Sequence, residues 1–432
     1  MAARPDARQT VNVDQLMRRQ WTVVGLMVVG YAGYYVCRSD YSVSIPLLIA
    51  DLSAHGMARD AAKIGLGRIA SLAVLGYALG KFVSGPLADR AGGRRLFLGG
   101  MLGSVICTIG FALAGTIPIF TLAWIANRLV QSTGWVGMVK LTSKWFSYAQ
   151  YGTAMGVISV SYLLGDVGAR LFMQSLIEHG FGWRGLFCAA AAVLGVLFII
   201  NAIWLREAPA VAPPDSPDRL DDGRGILSSL ARSPQFWLAC VLSLGFTLIR
   251  ETFNTWTPTF FTEAASLSPA AAAGASAWFP LLGAASVVIA GVASDRLGRS
   301  GRARIMFVGL LASVGLLLLL AHTRLWPLGL VAATGFAVLG PYSYLAGATS
   351  LDFGGQRSSA TTCGIIDGVG YLGGVLAGDS MARVSVALGW HGAFDVLAGV
   401  AFVSAIAALA LVLTQASHGY RRPDHYVVPS AR

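Results

Sequence analysis

The stretch GPLADRAGGRR, at Gly85–Arg95, follows an apolar segment and has a second copy later in the chain. That copy reads GVASDRLGRSGRAR, at Gly291–Arg304, and it places Asp295 206 positions after Asp89. A separation close to half the chain length of 432 residues indicates an internal repeat. Self-similarity at a fixed spacing predicts repeated architecture, so we expect two halves of the same design.

A second landmark supports the repeat. Gly-Trp-Arg-Gly at 182–185 corresponds to Gly-Trp-His-Gly at 389–392, with the two tryptophans 207 positions apart. The sequence between the halves is rich in Pro, Asp and Gly, which is typical of a flexible linker. We therefore predict three parts: an N-terminal six-helix bundle over 1–205, a cytoplasmic linker over 206–234, and a C-terminal six-helix bundle with a short cytoplasmic tail over 235–432.

Composition places both halves in a membrane. Hydrophobic residues make up 55% of the chain and charged residues 12%, with a mean hydropathy of +0.64, which excludes an ordinary soluble enzyme. Apolar stretches of roughly 20 residues can cross a bilayer. The sequence predicts an all-α integral membrane protein with twelve transmembrane helices in two pseudo-symmetric bundles. The stretches are 21–50, 66–88, 95–115, 119–141, 152–177, 185–205, 235–262, 273–293, 304–321, 325–348, 360–386 and 393–414.

The net charge of +11 follows the predicted topology. Basic residues cluster before the first apolar stretch and in every second loop after it, while the intervening loops carry few. The positive-inside rule then places both termini in the cytoplasm of a multi-pass protein of the inner (plasma) membrane. This distribution gives no support for nucleic-acid binding.

The five cysteines show neither metal-binding nor disulfide spacing, and no cofactor is expected.

Arg38 and Arg250 occupy corresponding places in predicted apolar stretches of the two halves. Arg38 and Arg250 stand 212 positions apart, and each precedes a proline, Pro46 or Pro258, by eight residues. Charge at membrane depth is costly, so such side chains normally face a protein interior or a water-filled path. Arginine contacts phosphate or carboxylate in a bidentate manner. The pair predicts a binding site for a small anion; the alternative is pairing with a membrane-embedded carboxylate.

The first predicted helix presents three tyrosines with Arg38. Tyr31, Tyr34, Tyr35 and Arg38 follow the spacing i, i+3, i+4 and i+7, which places them on one helix face. Aromatic hydroxyl groups beside a guanidinium suit hydrogen bonding to an oxyanion. We therefore predict that this face binds the anion.

Further candidates lie on the second and seventh predicted helices. Tyr77 and Lys81 share a face, although Lys81 is close enough to the helix end that its amine could instead extend to the interface. Arg250 and Asn254 share a face at i,i+4. Both pairs are predicted to contribute to the same site.

Acidic residues also occur at membrane depth: Asp40, Asp166, Glu251, Asp367 and Asp379. Structural pairing is the simpler interpretation of each, and Asp166 can pair with Arg170 at i,i+4. Asp367 shares a face with Tyr371, so it is the preferred partner for an amine if the substrate carries one.

The repeated loop resembles the signature of the major facilitator superfamily. Gly85 allows close helix approach, and Asp89 can pair with arginines and cap a neighbouring helix in one conformation. The alternative is a stop-transfer loop that only sets topology. The predicted gating residues are Gly85, Asp89, Arg90, Arg94, Asp295 and Arg296.

The chain also resembles the organophosphate:phosphate antiporter family. The resemblance is carried by the tyrosines and Arg38 with Pro46, by Gly80-Lys81-Phe82, by Arg250 with Trp256-Thr257-Pro258, and by Gly370-Tyr371-Leu372-Gly373-Gly374. It implies a phosphoryl group clamped by Arg38 and Arg250 from opposite halves. With the residues above and Tyr162, the predicted substrate-binding set is Arg38, Arg250, Lys81, Tyr31, Tyr34, Tyr35, Tyr77, Asn254, Tyr371, Asp367, Tyr162 and Asp166.

Three positions depart from that family. Ser39 stands where its well-known exchangers carry lysine, Gly165 where they carry a cavity histidine, and Leu339 where they carry an aromatic residue. These differences argue against glycerol 3-phosphate itself as the substrate.

The predicted function is secondary transport, not enzymatic catalysis. We expect an organophosphate or phosphonate to exchange for inorganic phosphate by alternating access in the lipid bilayer, and the resemblance implies a monomer. One alternative is a proton-coupled symporter of a carboxylate or sugar acid, with Asp40, Glu251 or Asp166 carrying the proton. A ligand sensor on a transporter scaffold is another.

Overall fold

The computed structural model describes residues 13–146, 148–208, 230–323, 325–345 and 349–417. Within these ranges thirteen α-helices of eight or more residues follow one another along the chain. They are α1 (Val13–Ala54), α2 (Arg59–Ala91), α3 (Gly93–Leu113), α4 (Ile117–Trp145), α5 (Tyr148–Glu178), α6 (Trp183–Trp204), α7 (Pro234–Glu263), α8 (Pro269–Ser276), α9 (Trp278–His322), α10 (Pro327–Tyr344), α11 (Ser350–Leu376), α12 (Asp379–Ala387) and α13 (Gly389–Ser417). The predicted all-α class is confirmed.

The predicted apolar stretches correspond to these helices, with two differences in continuity. The long helix α9 contains the ninth stretch and most of the eighth, and α11 and α12 share the eleventh. Eight spans within the described residues are long and apolar enough to cross a membrane by length and composition. The long helices α1, α4, α10 and α11 supply none of these eight spans, and α1 and α4 carry many of the charged and polar side chains described below.

The two copies of the repeated loop have different backbones. In the first copy α2 ends at Ala91, and Gly92 takes φ 86° before α3 begins at Gly93. Glycine adopts this left-handed region at little steric cost. The second copy, including Asp295 and Arg296, lies inside the continuous helix α9. It is therefore helical, although the sequence predicted a loop there.

The chain divides into two compact units. The first contains residues 1–218 and 255–277, and the second contains residues 219–254 and 278–432. The predicted boundaries assigned residues 255–277 to the second half. In the structure this segment packs in the first unit, where Ser42 Oγ donates a hydrogen bond to the carbonyl of Thr255 at 2.9 Å. Most of the predicted linker, 209–229, lies outside the described residues.

The repeated Gly-Trp landmark has the same packing role in each unit. Trp183 contacts Phe187 four residues later, with ring centroids 6.3 Å apart, near the start of α6. Trp390 contacts Phe394 at the same spacing, with centroids 6.1 Å apart near the start of α13, although these rings are tilted by 33° and the first pair by 88°. Because i and i+4 side chains share a helix face, each motif forms an aromatic pair at a helix N-terminus.

Candidate anion-binding site

Helix α1 is interrupted directly before Arg38. Cys37 has non-helical backbone angles, φ −82° and ψ 19°. Its carbonyl accepts a hydrogen bond from Gln131 Nε2 of α4 at 2.8 Å. The Tyr41 amide, four residues on, donates to Asp40 Oδ1 at 2.7 Å. Side chains thus satisfy backbone groups at the interruption, as buried backbone polar groups require.

Arg38 is held by two side chains of the first unit. Its Nε donates to Gln131 Oε1 at 3.0 Å, and its Nη1 donates to the hydroxyl of Tyr35 at 3.0 Å. Gln131 therefore contacts both the interrupted backbone and the guanidinium that follows it. The arrangement fixes the plane of the Arg38 guanidinium before any ligand binds, which lowers the entropic cost of binding.

Three cations surround the buried ring of Tyr77. Arg38 Cζ lies 4.8 Å from the ring centroid, Arg128 Cζ 5.1 Å and Lys81 Nζ 5.4 Å. All three distances are within the range of cation–π attraction. The position of Lys81 against Tyr77 favours the predicted site over extension to the interface. We call Arg38, Lys81, Arg128 and Tyr77 the N-terminal cation cluster.

Sequence reasoning missed Arg128 and Gln131. Arg128 is 7% exposed and Gln131 is fully buried, and they stand one turn apart on α4. A detectable signal was present, because an arginine at 128 lies in the middle of the predicted stretch 119–141. It lacks the proline eight residues later that marked Arg38 and Arg250.

The predicted tyrosines Tyr31, Tyr34, Tyr35 and Tyr162 form one aromatic cluster, in which Tyr34 is distinguished by its hydrogen bond to α3. The Tyr34 hydroxyl donates to the carbonyl of Phe97 at 2.6 Å, so Tyr34 bonds to α3. Tyr31 is also buried, with its ring centroid 5.6 Å from that of Tyr35. Tyr35 is half-buried and contacts Tyr162 of α5 at 5.9 Å. The structure brings Tyr31, Tyr35 and Tyr162 together, and it favours a packing role for Tyr34.

Arg250 lies in the second unit beside an acid and an aromatic ring. Glu251 Oε1 is 2.7 Å from Arg250 Nη2, and both side chains are largely buried. Arg250 Cζ lies 4.6 Å from the centroid of Tyr342, which the sequence analysis did not single out. This ion pair is the alternative given for Arg250 from the sequence, namely pairing with a membrane-embedded carboxylate. In the same unit Asn254 and Asp367 are half-buried and Tyr371 is buried.

Asp166 belongs to a separate polar network in the first unit. Its Oδ1 accepts hydrogen bonds from Arg170 Nε at 2.9 Å and from Ser39 Oγ at 2.5 Å. Arg170 Nη1 donates to Ser276 Oγ at 2.8 Å, which extends the network from α1 and α5 to α8. The predicted i,i+4 pair is present, and it favours a structural role for Asp166 over substrate contact.

Gly165 is a site of close helix contact. A Cβ atom there would lie 2.7 Å from the Cα of Ala32 on α1, which is shorter than van der Waals contact. Helices α1 and α5 therefore approach too closely at this point to admit a side chain. The histidine expected from the resemblance cannot be accommodated with this packing.

The first copy of the repeated loop is bonded to α4. Asp89 Oδ1 lies 2.6 Å from Lys140 Nζ, so its partner is a lysine and not the predicted arginine. No side chain caps the start of α3. A Cβ atom at Gly85 would meet nothing within 4 Å, so the predicted close helix approach is not present there. Arg90 and Arg296 are exposed. The side chain of Asp295 lies outside the described residues.

Arg94, in the same loop, forms hydrogen bonds to residues at and just after the end of α6. Its Nε donates to the carbonyl of Leu205 at 2.5 Å, and its backbone amide donates to Glu207 Oε1 at 3.0 Å. Lys144 Nζ contacts Glu207 Oε2 at 3.1 Å. Burial alone would raise the pKa of Glu207, but these hydrogen bonds and positive charges lower it below its usual value.

These features occur in a known transporter fold. The sequence profile described as Major Facilitator Superfamily matches residues 25–378. The chain belongs to the major facilitator superfamily. It is thus a multi-pass membrane transporter and not an enzyme. The superfamily resemblance stated from the repeated loop is confirmed.

Relatives of similar length include proteins named as transporters of phosphate esters. The chain is 26% identical to a probable hexose phosphate transport protein of Chlamydia pneumoniae, with 88% of each chain covered. It is 27% identical to the membrane sensor protein UhpC of Salmonella typhimurium (90% of each). It is 24% identical to the glycerol-3-phosphate transporter of Bacillus subtilis (87% and 88%). The resemblance to the organophosphate:phosphate antiporters is confirmed.

A solved transporter structure shares the fold. A bacterial homologue of the human lysosomal transporter Spinster, inward-facing and unoccupied, superposes with a TM-score of 0.79. The alignment covers 94% of this chain and 99% of that one, at 15% sequence identity. At this identity the similarity concerns the fold alone.

Proposed function

We propose that the protein exchanges an organic phosphate or phosphonate for inorganic phosphate across the inner membrane. The observation that carries this proposal is the cation cluster around Tyr77, in a chain whose full-length relatives include phosphate-ester transporters. The proposed binding elements are Arg38 and Lys81 in the first unit and Arg250 in the second. We also propose a monomer with both termini in the cytoplasm and no nucleic-acid partner.

Charge explains why exchange suits this site. Buried cations close together repel one another, and removing them from water without a counter-ion is costly. A phosphate dianion supplies the missing charge, so the loaded carrier reorients more readily than the empty one. In this proposal Arg38 and Arg250 bind the phosphoryl group from the two bundles, and alternating access follows by rigid-body motion.

Proteoliposomes test the exchange directly. Vesicles loaded with inorganic phosphate are expected to accumulate labelled glycerol 3-phosphate or hexose 6-phosphate much faster than unloaded vesicles. The rate is expected to vary little with a transmembrane pH gradient. Uptake of every phosphate ester at the rate of protein-free vesicles would contradict the proposal.

Glu251 is expected to compete with the anion for Arg250. Because its carboxylate lies 2.7 Å from the guanidinium, an incoming phosphate must share or displace it. Glu251→Gln removes the competing charge and is expected to tighten phosphate binding by roughly 10-fold, the order of a charge-pair coupling. Turnover is expected to fall, since the empty carrier then has an uncompensated Arg250. Ligand-dependent thermal stabilisation measures the affinity.

Glu178→Gln is the matched control. Glu178 is an exposed glutamate at the end of α5, where it accepts a hydrogen bond from Gln174. Its replacement should leave phosphate affinity unchanged. Weaker phosphate binding in Glu251→Gln alone would show that Glu251 supports the site instead of competing for it.

Two other functions are alternatives. The largely buried Glu251 beside Arg250 leaves a proton-coupled symporter as the first, in which a pH gradient drives uptake without internal phosphate and Glu251→Gln abolishes that uptake. The second is a ligand sensor, which is favoured by the similarity to the membrane sensor protein UhpC. Ligand-dependent stabilisation without any flux in proteoliposomes would identify the sensor.

A further inference from the structure

Arg128 places an additional buried positive charge at the site. Its Cζ lies 5.1 Å from the Tyr77 centroid, and that of Arg38 lies 4.8 Å from the same point. The two guanidinium carbons are therefore at most about 10 Å apart, by geometry alone. That distance is within reach of one small ligand with two acidic groups. Lys81, from the neighbouring turn of α2, adds a third positive charge at the same ring.

We propose that Arg128 determines specificity by binding a second acidic group on the substrate. The preferred cargo is then a phosphate monoester that also carries a carboxylate. Its phosphoryl group binds to Arg38 and Lys81, and its carboxylate binds to Arg128. A planar guanidinium matches a carboxylate in a bidentate manner, which favours this second group. This inference rests on the proposed function, because it concerns the substrate of the same site.

Limited exposure strengthens the attraction between these cations and an anionic ligand. The partial burial of Arg38 and the 7% exposure of Arg128 reduce solvent screening of these attractions.

Asp40 offers a competing explanation for Arg128. This carboxylate is fully buried and interacts electrostatically with Arg128, so Arg128 could serve only to offset it. However, the hydrogen bond from the Tyr41 amide engages Asp40 Oδ1, and Asp40 Oδ2 has no hydrogen-bond partner. Asp40 therefore has a structural task at the interruption of α1. The experiment below separates the two explanations.

A matched ligand pair tests the proposal. 3-Phosphoglycerate and glycerol 3-phosphate have the same three-carbon skeleton and phosphoryl group, and they differ in a carboxylate against a hydroxymethyl group. The purified wild-type protein is expected to bind 3-phosphoglycerate at least about 10-fold more tightly, as measured by thermal stabilisation and by competition for phosphate exchange. Equal affinities in the wild type would overturn the proposal without any variant.

Arg128→Gln is expected to remove this preference. Affinity for 3-phosphoglycerate should fall roughly 10- to 100-fold, the effect of losing one charge-assisted contact, while affinity for glycerol 3-phosphate changes less than about threefold. An equal fall for both ligands would overturn the specificity role and leave the exchange function standing. If neither ligand binds the wild type or drives exchange, the proposed function itself fails.

Two further variants complete the design. Arg184→Gln is the matched control, because Arg184 also lies over an aromatic ring, Trp183 at 4.1 Å, but its side chain is 54% exposed. It should retain the ligand preference. Asp40→Asn in the Arg128→Gln background tests whether Arg128 only offsets the charge of Asp40. Return of the preference for 3-phosphoglycerate in the double variant would overturn the proposal. Continued absence of that preference supports the proposal.

Discussion

Arg38→Lys is expected to lower phosphate exchange in proteoliposomes at least about 100-fold, although the positive charge is retained. The guanidinium plane is set by two hydrogen bonds, from Nε to Gln131 and from Nη1 to Tyr35. An ammonium group is a point charge and cannot reproduce both bonds while it also binds a phosphoryl group. Phosphate-dependent thermal stabilisation should disappear together with the flux.

Arg250→Lys tests the second half of the proposed clamp. A similar loss of exchange is expected, because Arg250 is held between Glu251 and the ring of Tyr342. Arg184→Lys supplies the control for replacement of an arginine that lies over an aromatic ring. If Arg250→Lys exchanges phosphate normally and Arg38→Lys does not, phosphate recognition is confined to the N-terminal cation cluster. Normal exchange by both would contradict the clamp.

Removing one member of the Asp166–Arg170 pair is expected to give the largest loss of stability. Arg170 is 2% exposed and Asp166 is 6% exposed, so either single replacement leaves a buried charge without its partner. The free energy of unfolding should fall by about 3–5 kcal/mol, or roughly 5 °C in melting temperature for the detergent-solubilised protein. The double variant Asp166→Asn with Arg170→Gln should recover part of that loss.

The exposed pair Asp379–Arg383 is the matched control. It has the same i,i+4 spacing and a contact of 2.8 Å, with side chains 29% and 51% exposed. Asp379→Asn should lower the melting temperature far less than Asp166→Asn, because this carboxylate is partly exposed at the start of the short helix α12 and is not enclosed by protein. If Asp166→Asn instead keeps its stability and loses ligand affinity, Asp166 belongs to the binding site, as the sequence first suggested.

Several site features could be inferred from the sequence because they depend on spacing within one helix. Tyr35 and Arg38 are three residues apart, and their contact follows from helix geometry. The same argument predicted the Asp166–Arg170 pair and the shared face of Tyr77 and Lys81. Because Arg38 and Arg250 lie within apolar stretches, the sequence indicated that their charges are energetically costly at membrane depth.

Other features required the folded chain. Arg38 and Gln131 are 93 positions apart, and no local spacing connects them. The sequence also did not predict that the second copy of the motif lies inside the continuous helix α9 and not in a loop. A repeated sequence motif specifies similar residues, but the helix continuity of each copy depends on its surroundings.

Hydrophobicity and the half-length repeat alone determined that this chain is a two-part membrane protein, because burial in lipid acts on every residue of a span and appears directly in composition. Only the tertiary structure decided which charges meet. It placed Arg128 of α4 against Tyr77 of α2, and it joined residues 255–277 to the first unit. Electrostatic interactions depend on distances between helices, and these distances follow from packing that no single segment specifies.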